Sequence, residues 1–255
     1  MTPRLLCELP ASGGPVSAST EQSHYLLQVL RLNVGDEVEI FDGRGLRFQA
    51  KITAIQTKSA MLLAEPGRRQ APLRSENIWI FQGLPSGDKM DWIIEKAVEL
   101  GVNRLSPMEC ERSIVKLSGP RLDKKMAHWR AEIVAACMQS QRDDLMLLDT
   151  VQTTELCLTR PSGPALQYFL DPGAKLSLLD ALRTSKRERS EPQDQAASIA
   201  PIKIVIGPES GFSDREKWLA ERNGFTAVSL GAQVLRTETA ALVATAKIQA
   251  WLEVI

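Results

Sequence analysis

The sequence has 255 residues, of which 44% are apolar and 24% charged, and 31 Lys and Arg residues balance 31 Asp and Glu residues. A chain of this length can bury one large core or two modest ones, and its zero formal charge argues against a general binder of polyanions. No apolar run approaches the ~20 residues of a membrane span, and the four cysteines form no CxxC pair that would suggest a zinc site or a disulfide framework. The N-terminal residues lack the apolar core of a signal peptide, so we expect a cytoplasmic protein with free thiols and no bound metal.

Residues 1–65 have the pattern of short strands interrupted by one helix. In EVEIF, Val38 and Ile40 alternate with carboxylates, DGRG supplies a turn, and LRFQAKITAI again alternates apolar and polar residues. Ser19 and Gln22 have the spacing of a capping box ahead of a leucine-rich helical face. A small β-barrel with one helix fits this pattern.

Strands and helices alternate after the stretch PGRRQAPLR (66–74), which carries three positive charges and resembles a solvated linker. Such alternation predicts a mostly parallel sheet with crossover helices. Residues 183–201 are polar and poorly patterned, which predicts a surface loop. The predicted elements are the strands IWIF, LMLL, LQYFL, IKIVI and TAVSL and the helices KMDWIIEKAVEL, LDKKMAHWRAEIVAACM, 176–183, one from Ser213 and one from Glu238.

Three strands of this second region end in unusual turns, through 171–173, 207–211, and Gly231 with the apolar loop that precedes Thr237. Ligands of parallel α/β sheets usually bind where strands end, and glycines let a ligand approach the backbone. By itself, each turn is also what a rigid strand-to-helix connection requires.

Motifs for phosphate and dinucleotide ligands are missing from these turns. There is no G-x-G-x-x-G, and GLPSGDKM lacks the spacing of a P-loop. The two histidines, His24 and His128, are too few for a usual metal cluster. The loop LGAQVLRTETA instead presents backbone groups beside apolar side chains, a surface that suits an adenine ring.

IGPESGFSDRE followed by SLGAQVLRTETAA resembles the paired signatures of the RsmE family, SPOUT-superfamily methyltransferases that modify N3 of uridine in bacterial 16S ribosomal RNA. HYLLQVLRLNVGDEVEIFDGRG and GLPSGDKMDWIIEKAVELGVNRLSPMECERSIVK resemble the starts of the two family domains. The resemblance implies an α/β protein with an RNA-binding PUA-like β-barrel over 1–72 and a SPOUT domain over 73–255. It also implies a C-terminal trefoil knot at about 165–255, although knots are rare in proteins.

The same resemblance implies S-adenosyl-L-methionine as the cofactor, 16S rRNA within the 30S subunit as the substrate, and a homodimer. From the chemistry of methyl transfer, the candidate catalytic residues are Arg236, Glu209 and Arg112, and the candidate contacts to RNA phosphates are Arg4, Arg31, Arg68 and Arg69. The implied cofactor-binding residues are Leu170, Gly207, Glu209, Gly211, Leu230, Gly231, Val234, Leu235, Arg236 and Thr237.

Methylation at N3 of uridine requires removal of a proton, so a site needs a base or cationic groups that stabilise charge on O2 and O4. Arg236 and Arg112 are candidates for charge stabilisation or phosphate contact, and surface salt bridges are the alternative for both. Glu209 is a candidate for contact with the methyl donor. Glu238 is better explained as a structural carboxylate in the first turn of a helix, where the helix dipole favours its ionised form.

The chain departs from the family pattern at Ser210, where the family has glycine, and at Met138 and Gln141 in the helix AACMQSQR. Serine at position 210 would be strained if its φ were positive. Three alternatives stay open: a non-catalytic RNA-binding assembly factor, an enzyme that uses NAD or ATP, and a knotted methyltransferase that acts on another RNA.

Overall fold

The computed structural model describes residues 2–57, 59–69, 78–160, 163–188 and 201–252. The chain divides into two compact units, the first formed by Met1–Pro72 with Val134–Leu145 and the second by Leu73–Ile133 with Met146–Ile255. The predicted boundary after residue 72 coincides with a limit of the first unit. Val134–Leu145, however, groups with the first unit, although we predicted it within the second domain.

The first unit contains a six-stranded sheet with the order β1-β3-β4-β5-β2, and β6 pairs with β4. Strands β1 and β3 are parallel and the other pairs are antiparallel. Alternate residues of β4, among them Phe48, Ala50 and Ile52, are buried in one core, as the sequence pattern predicted. The strands are β1 (Arg4–Leu6), β2 (Gly14–Ser17), β3 (Glu37–Phe41), β4 (Leu46–Gln56), β5 (Ser59–Ala64) and β6 (Arg68–Arg69).

The predicted capping box begins helix α1 (Thr20–His24). The Ser19 hydroxyl accepts a hydrogen bond from the Gln22 backbone N–H, and the Gln22 side chain accepts one from the Ser19 N–H. The helix continues as a π-helical turn over Tyr25–Val29, where Leu26 is fully buried in the core of the first unit.

Arg4 is a buried structural residue, which corrects its prediction as an RNA contact. Its Nε lies 2.6 Å from a carboxylate oxygen of Glu39, its Nη2 lies 2.5 Å from Asp143, and its Nη1 donates to the carbonyl of Cys137. Only 6% of the residue is exposed, and the two carboxylates compensate its charge. The contacts with Asp143 and Cys137 connect Val134–Leu145 to β1 of the first unit.

The second unit contains a seven-stranded sheet in which every described pair is parallel. The strand order is β10-β8-β7-β12-β11-β13, and β9 also pairs with β8, so the predicted α/β architecture is confirmed. Its elements are β7 (Ile78–Gly83), α2 (Lys89–Glu99), β8 (Arg104–Glu109), α3 (Gly119–Ser140), β9 (Leu147–Leu148), β10 (Gln152–Thr153), α4 (Thr154–Thr159), β11 (Leu166–Leu170), α5 (Leu178–Glu188), β12 (Ile202–Ile206), α6 (Asp214–Arg222), β13 (Thr226–Val228) and α7 (Thr237–Trp251), with α3 extending into the residues of the first unit.

Helix α5 is longer than the sequence predicted. It continues to Glu188, so residues 183–188 are helical instead of part of the predicted loop. Leu178 and Leu182 are fully buried and anchor it, and the Lys, Arg and Glu residues that follow are good helix formers. Residues 189–200 of that predicted loop and residues 70–74 of the predicted linker lie outside the described residues.

The central strand of the second unit is β12, and all five of its residues are buried. Because the sheet is parallel, β7, β11 and β12 end at the same edge, where ligands of such sheets bind. Helix α7 packs against α2 and against β7 and β12. Within the described residues, no helix combines the length and apolar character needed to cross a bilayer.

Gln141 directly follows α3 with a φ of 59°, a left-handed conformation that favours glycine. A side chain costs about 1–2 kcal/mol there, and the greater freedom of glycine in the unfolded chain offsets about 0.5–1 kcal/mol. We therefore expect Gln141→Gly to raise the free energy of unfolding, measured by urea denaturation, by about 0.5–1 kcal/mol. The carbonyl of Gln141, which accepts from Arg47, is kept in this variant. Gln141→Ala is the control, and a glycine variant less stable than the alanine variant would contradict the expectation.

Candidate active site

A cavity of about 550 Å³ in the second unit lies where β11 and β12 end and where α7 begins. This volume is within the range of small-molecule sites. All three of the unusual strand exits predicted from the sequence contribute to it. The lining consists of Lys89, Arg112, residues 170–172, residues 206–212, Lys217, residues 234–237 and Ala240.

Most of the predicted cofactor-binding residues line this cavity, namely Leu170, Gly207, Glu209, Gly211, Val234, Leu235, Arg236 and Thr237. Leu230 and Gly231 are not part of the lining. The carbonyl of Leu230 instead accepts a hydrogen bond of 2.6 Å from Lys247 on α7. Leu230 therefore supports the loop that precedes α7.

Thr237 fixes the start of α7 at the end of β12. Its hydroxyl donates to the carbonyl of Gly207 at 2.6 Å and accepts from the buried side-chain amide of Gln82 at 2.9 Å. Both hydrogen-bonding functions of this hydroxyl are thus used within the protein. The neighbouring Arg236 is held at the cavity by its backbone, while its side chain stays exposed.

Two glycines are required for this shape, each for a different reason. Gly211 has a φ of 68°, and no described atom lies within 4 Å of the place where a Cβ would stand. It therefore provides a left-handed turn that opens onto free space. A Cβ on Gly83 would lie 2.6 Å from both Cδ and N of Pro208, so the end of β7 touches the turn after β12.

Glu209 joins the loop after β7 to the turn after β12. One of its carboxylate oxygens accepts from the backbone N–H of Ser86 at 3.0 Å, from the Ser86 hydroxyl at 2.6 Å and from Lys89 Nζ at 2.5 Å. Burial opposes ionisation, but the hydrogen bonds from Lys89 and Ser86 outweigh it and lower the pKa of Glu209 to about 2. The carboxylate is therefore a poor proton acceptor, and its contacts favour a structural role over the predicted catalytic one.

We expect Glu209→Gln to lower the melting temperature at pH 7, because the folded protein stabilises the ionised carboxylate. A carboxyl group whose pKa is lowered on folding stabilises the folded protein at pH values above its ordinary pKa of 4.5. This stabilisation is lost as the pH falls towards 2. Thermal melts of both proteins between pH 7 and pH 2 should show a difference that shrinks below about pH 4.5. A difference that is independent of pH would contradict this.

Asp171 and Lys217 form a second ion pair in the lining. Lys217 Nζ donates to one carboxylate oxygen of Asp171 at 2.7 Å, and the N–H of Gly173 donates to the other at 3.0 Å. The bond from Lys217 is the main reason that the pKa of Asp171 is lowered. Sequence reasoning missed both residues. The available signals were the Asp-Pro-Gly turn and the place of Lys217 one helical turn after Ser213, the N-cap of α6.

Arg112 and Arg236 are the cations of the lining that have no carboxylate partner. Each is exposed, and neither guanidinium forms an ion pair with any carboxylate of the described residues. Four cationic side chains and two carboxylates line the cavity, which leaves an excess of two positive charges. Because the two lysines are neutralised by Glu209 and Asp171, this excess belongs to the two arginines.

Ser210, where the family resemblance led us to expect glycine, is not strained. Its φ is not among the positive values of the described non-glycine residues. Its hydroxyl donates to the carbonyl of Arg112 at 2.7 Å. The serine therefore adds a hydrogen bond to the cavity without a conformational cost.

Arg31, Arg68 and Arg69 are exposed in the first unit. Arg68 and Arg69 form β6, and Arg69 makes one long hydrogen bond to the carbonyl of Arg44. Their side chains are accessible to a polyanion, unlike that of Arg4.

The chain matches the RNA methyltransferase domain family over residues 72–249 and the RNA methyltransferase PUA domain family over residues 19–63. A ribosomal RNA small subunit methyltransferase E from Synechocystis is 32% identical over 239 residues, which covers 93% of this chain and 74% of that protein. The protein of the same name from Bacillus subtilis is 29% identical over 242 residues, covering 89% of this chain and 87% of that protein.

Solved structures give the same result. The crystal structure of a ribosomal RNA small subunit methyltransferase E from Neisseria gonorrhoeae, bound to S-adenosyl methionine, has a TM-score of 0.84 at 28% identity and covers 98% of both chains. A putative methyltransferase from Legionella pneumophila, in complex with the same cofactor, has a TM-score of 0.83 at 28% identity and also covers 98% of both. The family resemblance of the sequence is thus confirmed: the chain belongs to the RNA methyltransferase family that includes ribosomal RNA small subunit methyltransferase E.

Proposed function

We propose that this chain transfers a methyl group from S-adenosylmethionine to N3 of a specific uridine in 16S rRNA. The observation that carries the proposal is the cavity, which combines apolar walls, glycine-rich backbone and two unpaired arginines at the ends of parallel strands. Membership of the RNA methyltransferase family supports it, and so do the names of the relatives, which state ribosomal RNA of the small subunit.

The residues of the cavity fit S-adenosylmethionine. Leu170, Phe212, Val234 and Leu235 provide apolar surface for an adenine ring, beside the backbone of residues 207–211. Gly211, with its positive φ, shapes the turn that lines the cavity. When bound, this cofactor supplies a methyl group already activated on a positively charged sulfur. The protein therefore has mainly to align the uridine with it.

The two unpaired arginines suit the RNA better than the cofactor, because a sulfonium is itself a cation. Negative charge develops on O2 and O4 of uridine as N3 loses its proton, and guanidinium groups stabilise such charge. Arg236 and Arg112 stabilise this charge. Their own positive charge also allows them to contact RNA phosphates. N3 lies on the Watson–Crick edge, so the uridine must be unpaired or extruded before it reacts.

The carboxylates of the cavity are unsuited to act as the base. Asp171 and Glu209 are each bound by a lysine, and the pKa of each is lowered. We infer that Arg112 and Arg236 favour the deprotonated uridine and that the N3 proton leaves to solvent. The rate should then rise with pH without a plateau set by a carboxylate.

The first unit contacts the RNA backbone through Arg31, Arg68 and Arg69, and a cytoplasmic homodimer doubles this surface. The zero net charge predicts weak binding of naked RNA, so the substrate is folded RNA or the assembled 30S particle. The exposure of the three arginines supports this assignment.

The C-terminal part, about 165–255, forms the trefoil knot of the SPOUT superfamily. The order of the strands supports this proposal, because β12 and β13 lie on opposite sides of β11. After β13 the chain returns to the end of β12, where Thr237 binds Gly207 and α7 packs against α2.

The test is incubation with radiolabelled S-adenosylmethionine and either 30S particles or naked 16S rRNA that lack the modification, followed by mapping of labelled nucleosides. We expect label as N3-methyluridine, with more from particles than from naked RNA. Binding of the cofactor without label would overturn the substrate assignment. Failure to bind the cofactor would favour a non-catalytic RNA-binding assembly factor instead.

A further inference from the structure

Ser210 connects two loops of the cavity that are distant in the sequence. Its hydroxyl donates to the backbone carbonyl of Arg112 at 2.7 Å, and the two residues are 98 positions apart. Both residues line the cavity and both are exposed. The hydrogen bond thus joins the turn after β12, which shapes the cavity, to the loop after β8, which carries an unpaired guanidinium.

The other contacts of the loop after β8 hold its base rather than Arg112. The N–H of Glu111 donates to the carboxylate of Glu216 at 3.0 Å, and Arg215 pairs with the side chain of Glu111 at 2.8 Å. Ser113 closes a tight turn by accepting from the N–H of Cys110. The two contacts of Glu111 attach the loop to α6.

Within the part of the chain that the structure describes, Arg112 is hydrogen-bonded to the cavity through its carbonyl alone. No hydrogen bond or ion pair of its side chain occurs among the described residues, so the direction of the guanidinium depends on its backbone. Among the hydrogen bonds of the described residues, this one alone connects a side chain of the turn at 207–211 to the loop after β8.

We propose that Ser210 is a positioning residue that directs Arg112 towards the RNA in the cavity. The inference rests on the proposed function, because Arg112 acts there on the uridine or its phosphate. Loss of the hydroxyl leaves the carbonyl of Arg112 to water, and the guanidinium then occupies its productive position for less of the time. The rate of methyl transfer falls, while the cofactor, which does not depend on Arg112, binds as before.

The test is a double-mutant cycle of Ser210→Ala and Arg112→Ala, with methylation of 30S particles measured as kcat and KM and cofactor affinity measured by calorimetry. Ser210→Ala should lower kcat/KM about three- to tenfold, the range of one net hydrogen bond, with unchanged cofactor affinity. In the Arg112→Ala background the same change should have no further effect. Ser210→Thr keeps the hydroxyl and should restore most of the rate.

The cycle separates positioning from a merely structural role. An equal loss from Ser210→Ala in both backgrounds, or no loss in the wild type, would overturn the inference while leaving the proposed function in place. A parallel fall in melting temperature and cofactor affinity would assign the serine to the fold and would overturn it too. If the wild-type protein methylates neither particles nor RNA, the proposed function itself fails.

Discussion

Arg236→Ala slows methyl transfer about 100- to 1000-fold and leaves the affinity for S-adenosylmethionine nearly unchanged, if Arg236 stabilises charge on the uridine. This is the loss seen when one preorganised donor to a developing oxyanion is removed, about 2.7–4 kcal/mol of the barrier. Arg236 is suited to such an effect because Thr237, bonded to Gly207 and Gln82, fixes the backbone beside it. A fixed backbone removes one part of the reorganisation that a guanidinium needs during the reaction.

Single-turnover methylation of 30S particles at saturating cofactor gives the rate, and calorimetry gives the cofactor affinity. Arg236→Lys is the matched control, because it keeps the charge and loses the planar pair of donors. We expect it to recover only part of the rate. A loss of cofactor affinity as large as the loss of rate would show instead that Arg236 holds the loop or the cofactor, and would exclude a role confined to the uridine.

Local sequence signals predicted most of the helices and strands, because each signal depends on a few neighbouring residues. The capping boxes at Ser19 and Ser213 mark the starts of α1 and α6. The stripe of Met90, Ile93 and Ile94 lies on the buried face of α2. The turn at 207–211 was equally visible, since glycine and proline at a strand exit have few other uses.

The missed features depend on partners far along the chain. Arg4 was expected to be exposed because its neighbours in sequence give no hint of Asp143 or Glu39. The same distance hid the pairing of Lys217 with Asp171, which removes two charges from the cavity. Burial of a charge is decided by such long-range pairs, and no local pattern reports them.

The family resemblance predicted the cofactor and the substrate, which hydrophobic periodicity could not. It did not predict the roles of the carboxylates in the cavity. Glu209 lies within the family motif, and sequence reasoning placed it among the catalytic candidates. Its three hydrogen bonds and its low pKa come from Ser86 and Lys89, which belong to a different strand exit. A motif therefore identified the place of the site, while the contacts around it determine what each residue can do.

Gly83→Ala is expected to weaken cofactor binding by about tenfold or more and to lower the free energy of unfolding by about 1–3 kcal/mol, as overpacking of a buried site does. The added Cβ would lie 2.6 Å from Cδ and N of Pro208 and 3.0 Å from the carbonyl carbon of Gly207. Gly83 has little room to retreat, because it pairs with Met108 on β8 and the next N–H donates to the carbonyl of Met108 at 2.8 Å. The turn after β12 must therefore move, and that turn is a wall of the cavity.

Calorimetry with S-adenosylmethionine and urea denaturation measure the two effects separately. Gly163→Ala is the matched control: its φ is not in the left-handed range, and its Cβ would meet no described atom within 4 Å. We expect the control to bind and unfold like the wild type. If Gly83→Ala is destabilised but binds the cofactor normally, the position of the turn at 207–211 is not what holds the cofactor. If both properties fall together, the contact between the end of β7 and Pro208 sets the shape of the cavity, and cofactor binding then depends on a residue that is not itself part of the lining.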